Sequence, residues 1–233
     1  PHTAEATPRE MQVIQHADLF IGVAEGYEKK LLAALSDAEK NIHILDMNEE
    51  IPLLPYSDDS NLMGPCQGHS HATTRSKDLH FWLGPKELIT QVAILLQALT
   101  ELKPENRALY QENAHALIQK IHSLDARLEK ALHPYQGRSI VTSHASLGYF
   151  CHDYHLNQIA IECEGKDPRP QSISRIYDYL RHSNVICVFI SPQFNNRGAE
   201  MVAKELDLRV ESFDPLAEDV LATIEKIAIN IAK

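Results

Sequence analysis

The chain has 233 residues, enough to bury a substantial core and to form two compact lobes of about 100 residues each. Its 22 Lys+Arg against 32 Asp+Glu give a formal net charge of −10, and no basic run tracks a phosphate backbone, so nucleic acid is excluded as the expected partner. No apolar stretch approaches the ~20 residues a bilayer span needs, and the first residues show neither a basic n-region nor an apolar h-region, so no signal peptide is expected in this sequence.

Residues 9–16 mix polar and apolar positions and predict a helix, 17–23 predict a short buried strand, and 27–35 are amphipathic and predict a second helix. A second short strand is expected over 42–45. From 51 to 77 periodicity vanishes and Pro, Ser, Asp, Gly and His dominate, which predicts a long loop. Pro85 opens a helix through about residue 99, with Leu88, Val92, Leu95, Leu96 and Leu99 along one face. Over 105–132 the apolar positions Leu109, Leu117, Ile121, Leu124, Leu128 and Leu132 fall at helical spacing with no internal Gly or Pro. At 1.5 Å per residue that helix runs about 40 Å, nearly a domain diameter, and is expected to cross between the lobes as a rigid strut.

The remainder alternates strand (139–142, 158–162, 185–190, 209–213) with helix (146–154, 172–181, 197–206, 216–232), the pattern of a parallel sheet with helices on both faces. The expected architecture is α/β: two lobes, each with a parallel sheet flanked by helices, over 1–104 and 134–233, joined by one long helix over 105–133.

Thirteen histidines are about twice what average usage gives, and make metal binding the first function to test. His80, in Asp78-Leu79-His80-Phe81-Trp82-Leu83-Gly84-Pro85, stands between a polar segment carrying His69 and His71 and the start of a helix, a placement suited to a metal ligand. His2, His144 and Asp214 are further candidates, scattered as a site between two lobes requires. His144 and Asp214 each follow the carboxyl end of an expected strand, where ligands of such sheets bind. Asp214 could instead cap the helix expected from Leu216. The four cysteines, Cys66, Cys151, Cys163 and Cys187, form no C-x-x-C pair, so neither a zinc ribbon nor a redox motif is readable.

These motifs together resemble the zinc and manganese solute-binding proteins of ABC importers, the ZnuA-like and TroA-like group. Pro1-His2-Thr3 followed by Pro8-Arg9-Glu10 looks like the segment of the family's first histidine. His80-Phe81-Trp82-Leu83-Gly84-Pro85 matches H-x-W-L-x-P, His144 with Gly148-Tyr149-Phe150 matches H-x-x-x-G-Y-F, and Asp214-Pro215-Leu216 matches an acidic turn. Val188-Phe189-Ile190-Ser191-Pro192-Gln193-Phe194 is similar to a further family string, with Ser191 in place of its glutamate, and Ala145 stands where many zinc members have aspartate. A disulfide that some members make from the position of Cys187 has no partner in Ile231-Ala232-Lys233, and the family's first strand and helix, before its first histidine, are absent from this sequence.

The resemblance implies the metal-binding solute-binding protein fold with His2, His80, His144 and Asp214 as ligands, and no catalysis. It implies a periplasmic or otherwise extracytoplasmic monomer that hands its ion to a cognate ABC permease in the cytoplasmic membrane. Three imidazoles and a carboxylate in tetrahedral array suit Zn²⁺, while a bidentate Asp214 would move the shell toward Mn²⁺. His69 and His71 would correspond to the family's auxiliary metal loop, in competition with a plain solvated loop or a separate Cys66-His69-His71 site. The alternative from another class is a zinc hydrolase on a His₃ site, which needs an open coordination position and a general base; no H-E-x-x-H or G-x-S-x-G is present.

Overall fold

The computed structural model describes residues 7–23, 28, 30–32, 42–55, 77–161 and 170–233. The chain opens with helix α1 (Pro8–Gln15), started by Thr7, whose hydroxyl accepts the Glu10 N–H while the Glu10 carboxylate accepts the Thr7 N–H. Strands β1 (Leu19–Gly22) and β2 (His43–Asp46) pair in parallel, Leu19 opposite His43 through Gly22 opposite Asp46. The helix expected over 27–35 is represented by Glu28 and residues 30–32, which are helical. Of the long loop, Pro55 and Lys77 form an isolated antiparallel bridge, and 56–76 lie outside the described residues.

A 3₁₀ turn (Phe81–Leu83) leads into helix α2 (Pro85–Leu102), and a second (Pro104–Asn106) into the long helix α3 (Arg107–Leu132). Pro85 sits in the first turn of α2, where a missing N–H costs nothing and the fixed φ favours helix. Helix α3 begins two residues later than its periodicity predicts, because Pro104 seeds the tighter turn. It packs on α2 and on the carboxyl-terminal helix, as a strut between two halves must. Ile121, Leu124, Leu128 and Leu132 are buried as expected, but Leu109 and Leu117 are exposed. Towards its amino end the helix buries only the small Ala114, so the apolar stripe outruns the core it serves.

Next come β3 (Ser139–Thr142), α4 (Gly148–Asp153), β4 (Asn157–Ala160), α5 (Pro170–Arg181), β5 (Val185–Ile190), α6 (Arg197–Glu205), β6 (Val210–Ser212) and α7 (Val220–Ile231). The strands form a parallel sheet in the order β4-β3-β5-β6. Helix α7 starts four residues later than predicted: its cap is Asp219, whose carboxylate accepts the Ala222 N–H at 2.9 Å, and not Asp214. One core cluster joins Leu83, Leu88 and Val92 to the inner face of α3, to β3 and β5, and to Ile224, Ile227 and Ile231 of α7. A smaller one gathers Met47, Ile51 and Phe81 around Tyr149, a ring supplied by α4. The structure thus has two parallel sheets flanked by helices, with the long helix between them.

Candidate metal centre

The order β4-β3-β5-β6 makes the chain step outward from β3 to β4 and then return to the other side of β3 for β5. The carboxyl ends of β3 and β5 therefore flank the crevice at which such sheets bind ligands. His144 stands just beyond β3. The Ser143 N–H donates to Phe189 O (3.0 Å) and the Ser146 N–H to His144 O (2.8 Å), which turns the chain sharply and leaves the imidazole over the sheet edge. Beyond β5, Asn196 clamps the backbone of Ser191 through both amide atoms, shaping the loop that carries Gln193 and Phe194. The Phe194 ring stacks on His144 with centroids 4.2 Å apart and planes at 18°.

His80 arrives from the other half of the chain. Phe81 and Leu83 on either side of Trp82 are buried, pinning the 3₁₀ turn, and the Trp82 indole N–H donates to Pro215 O at 2.8 Å. The turn thereby touches the Asp214-Pro215 corner. His80 Nε2 and His144 Nε2 come to 3.2 Å, with ring centroids 5.0 Å apart and planes at 76°, and both rings are buried. Two nitrogens at 2.0–2.1 Å from a tetrahedral Zn²⁺ lie about 3.3 to 3.4 Å apart, so this separation fits two corners of one zinc shell. Sixty-four residues separate the two in sequence.

Asp214 lies at the rim. Its Oδ1 accepts the Leu216 N–H at 2.8 Å and a short hydrogen bond from Gln193 Nε2, the residue before the Phe194 that covers His144. Among the described residues no group of three or more His, Cys, Asp or Glu is disposed to hold a metal, so Asp214 does not join the two imidazoles in such a cluster. His2, His69, His71, Cys66 and Cys163 lie outside the described residues. Cys151 and Cys187 are free, buried thiols, pushed up by desolvation and so held as inert core groups. His115, His122 and His133 are exposed on and just after α3, as its polar face requires.

Two residues whose roles the sequence did not disclose complete the site. Asp78 is buried, and its Oδ1 lies 2.9 Å from the His80 backbone N and 2.8 Å from His80 Nδ1. The Asp-x-His spacing was a usable clue, since an aspartate commonly accepts from the backbone N–H two residues on. Phe194 had no such clue, because its stacking depends on where β5 ends in space. A surface groove of about 840 Å³ runs past Cys151, His152 and His182 and reaches this region at Asp78 and its neighbours Leu54 and Gly148, with neither His80 nor His144 in its lining. A single ion held by side chains needs no cavity of that size.

The profile of the family described as zinc-uptake complex component A, periplasmic, matches residues 1–228. A putative metal-binding protein of Chlamydia trachomatis is 26% identical over 233 residues, covering 100% of this chain and 79% of that protein. The zinc-binding lipoprotein AdcA of Streptococcus pneumoniae is 26% identical over 223 residues, 93% of this chain but only 43% of that longer protein. A crystal structure of a ZnuA deletion mutant with zinc bound superposes with a TM-score of 0.84 at 30% identity, covering 100% of this chain and 84% of that one.

Proposed function

The chain belongs to the family of the periplasmic zinc-uptake component A, and from that premise we propose that it captures Zn²⁺ outside the cytoplasm between its two halves and delivers it to an ABC permease. It is a binding protein of a metal-uptake system and not an enzyme. The observation that carries the reading is the meeting of His80 Nε2 and His144 Nε2 at 3.2 Å, in buried surroundings, from opposite halves of the chain.

In this proposal His80 and His144 are two ligands, with His2 the third and Asp214 the fourth. Asp214 closes the shell by exchanging its bond to Gln193 for the ion. The net charge of such a shell is −1, so one Zn²⁺ leaves a single positive charge that Asp78 offsets through His80. Nitrogen-rich tetrahedral donors favour Zn²⁺ over Mn²⁺; a bidentate Asp214 is the route by which Mn²⁺ becomes the cargo. Residues 1–104 and 134–233 act as the lobes and 105–133 as the link between them. Because the ion bridges the halves, a small separation at the permease would release it. The chain acts as a monomer.

Competitive titration of Zn²⁺ against Mn²⁺, with metal content after native purification, tests the proposal. Wild type is expected to retain zinc and to bind it more tightly than manganese, and His80→Ala to lose that binding. Unchanged zinc affinity in His80→Ala would overturn it.

A further inference from the structure

Asp78 supplies no atom to the proposed zinc shell, yet it is buried and turned onto one of the shell's residues, His80. Its Oδ1 takes two contacts from the same residue, the His80 backbone N–H at 2.9 Å and ring Nδ1 at 2.8 Å. An ionised carboxylate can only accept, so the ring nitrogen facing it must be the one that carries hydrogen. In the neutral imidazole this leaves the lone pair on Nε2, the atom that meets His144. The opposite tautomer would press two lone pairs together at 2.8 Å around a carboxylate that is 2% exposed.

The seat of Asp78 is built by residues distant in sequence. Its N–H donates to Leu54 O (2.9 Å), the Leu54 N–H donates to the Tyr149 hydroxyl (3.0 Å), and that hydroxyl donates to Asp78 O (2.9 Å). The three bonds form a closed ring in which the fully buried Tyr149 both gives and takes. The second carboxylate oxygen lies against Gly148, where a Cβ would run into Asp78 Oδ2. Gly148 therefore supplies the space, and Tyr149 the anchor, that stop the carboxylate from swinging off the His80 ring. Both belong to the first turn of α4, just after His144.

We infer that Asp78 is the positioning residue of the metal site, fixing His80 with hydrogen on Nδ1 and a bare Nε2, from a seat that Gly148 and Tyr149 of the opposite half complete. This rests on the zinc-capture proposal above. Its consequence is that one ligand is correctly oriented only while the half bearing the other is docked, so the two halves are coupled through Asp78 before any ion arrives.

The test uses the full metal-free chain. Two-bond ¹⁵N–¹H correlations of the His80 ring report which nitrogen is protonated, and zinc titration reports affinity. Wild type is expected to show the Nδ1–H form. Asp78→Ala is expected to lose it and to bind Zn²⁺ about 10- to 100-fold more weakly, the usual cost of removing a carboxylate behind a metal-bound histidine. Asp78→Asn should restore most of both, because its amide oxygen must stay on the His80 backbone N–H and so still receives Nδ1–H. Gly148→Ala, which touches no ligand, should displace the carboxylate and shift both readouts in the direction of Asp78→Ala. Should Asp78→Ala fail to fold, Gly148→Ala decides by the same two measurements. A wild-type tautomer or wild-type zinc affinity in folded Asp78→Ala or Gly148→Ala overturns the inference. Zinc binding that survives His80→Ala overturns the capture proposal instead, and the tautomer measurement still judges the role of Asp78.

Discussion

Glu87, in the first turn of α2, keeps one carboxylate oxygen buried with no hydrogen-bond partner among the described residues. Burial, helped by the neighbouring Asp153 charge, pushes its pKa up to about 7 in spite of Lys86. Asp153 is also raised, chiefly by burial, while Lys86 Nζ at 3.4 Å opposes the shift and His152 lies 3.8 Å from the same oxygen. A raised folded pKa means the fold prefers the neutral acid. The stability this group contributes is complete below its ordinary value of 4.5 and is lost as pH rises through about 7. Glu87→Gln should therefore raise the melting temperature of the metal-free protein at pH 8, with the gap closing near pH 4.5. The ceiling is roughly 3 kcal/mol, reduced by the part of the carboxyl that stays wet. Thermal melts across pH 4 to 8 check this; a gap independent of pH would contradict it. Nothing in the string Pro85-Lys86-Glu87 marks that glutamate as unusual, because Asp153 joins it only through the docking of α4. His80 and His144, by contrast, stood out as candidates from their motifs alone. Asp78 was in plain view beside His80, yet its work depends on Gly148, which only the fold brings to it.

At the scale of elements, the helix ends show which local rules governed. The capping box of α1 and the prolines at the starts of α2 and its neighbouring turn are local chemistry and behave as sequence rules say. The start of α7 does not follow the apolar run, because Asp214 and Asp219 compete for the role of cap. Asp219 takes the Ala222 N–H, whereas Asp214 closes a two-residue turn onto Leu216, freeing that corner to meet Trp82. Asp219→Ala is expected to cost about 1 kcal/mol, read in urea unfolding as a lower midpoint with an unchanged slope. The same substitution should leave zinc affinity at the wild-type value, since Asp219 caps a helix and faces no ligand; a loss of affinity would show that the turn and the cap are not independent.

For the molecule as a whole, an ion held by both halves must stabilise the assembled state over the unfolded chain. At free Zn²⁺ of 100 times Kd, the gain is about 2.7 kcal/mol, which for a chain of this length corresponds to a rise of roughly 5 to 10 °C in melting temperature. Chelation should reverse it, and His80→Ala should show neither rise nor reversal; a zinc-insensitive wild-type melt would count against capture between the halves. The sequence by itself indicated the alternation of strands and helices and the long helix, expected over 105–132 and found at Arg107–Leu132, and it singled out His80 and His144 as candidates. Periodicity, caps and motif strings are local, and survive without knowledge of neighbours. Only the tertiary structure decided that β5 returns beside β3, that Phe194 stacks on His144, and that His80 and His144 meet at 3.2 Å. It also decided that Leu109 and Leu117 stay in water although they continue the helical stripe. Each of these depends on which surfaces come together across tens of residues, where the balance of burial and desolvation is set by the whole packed chain.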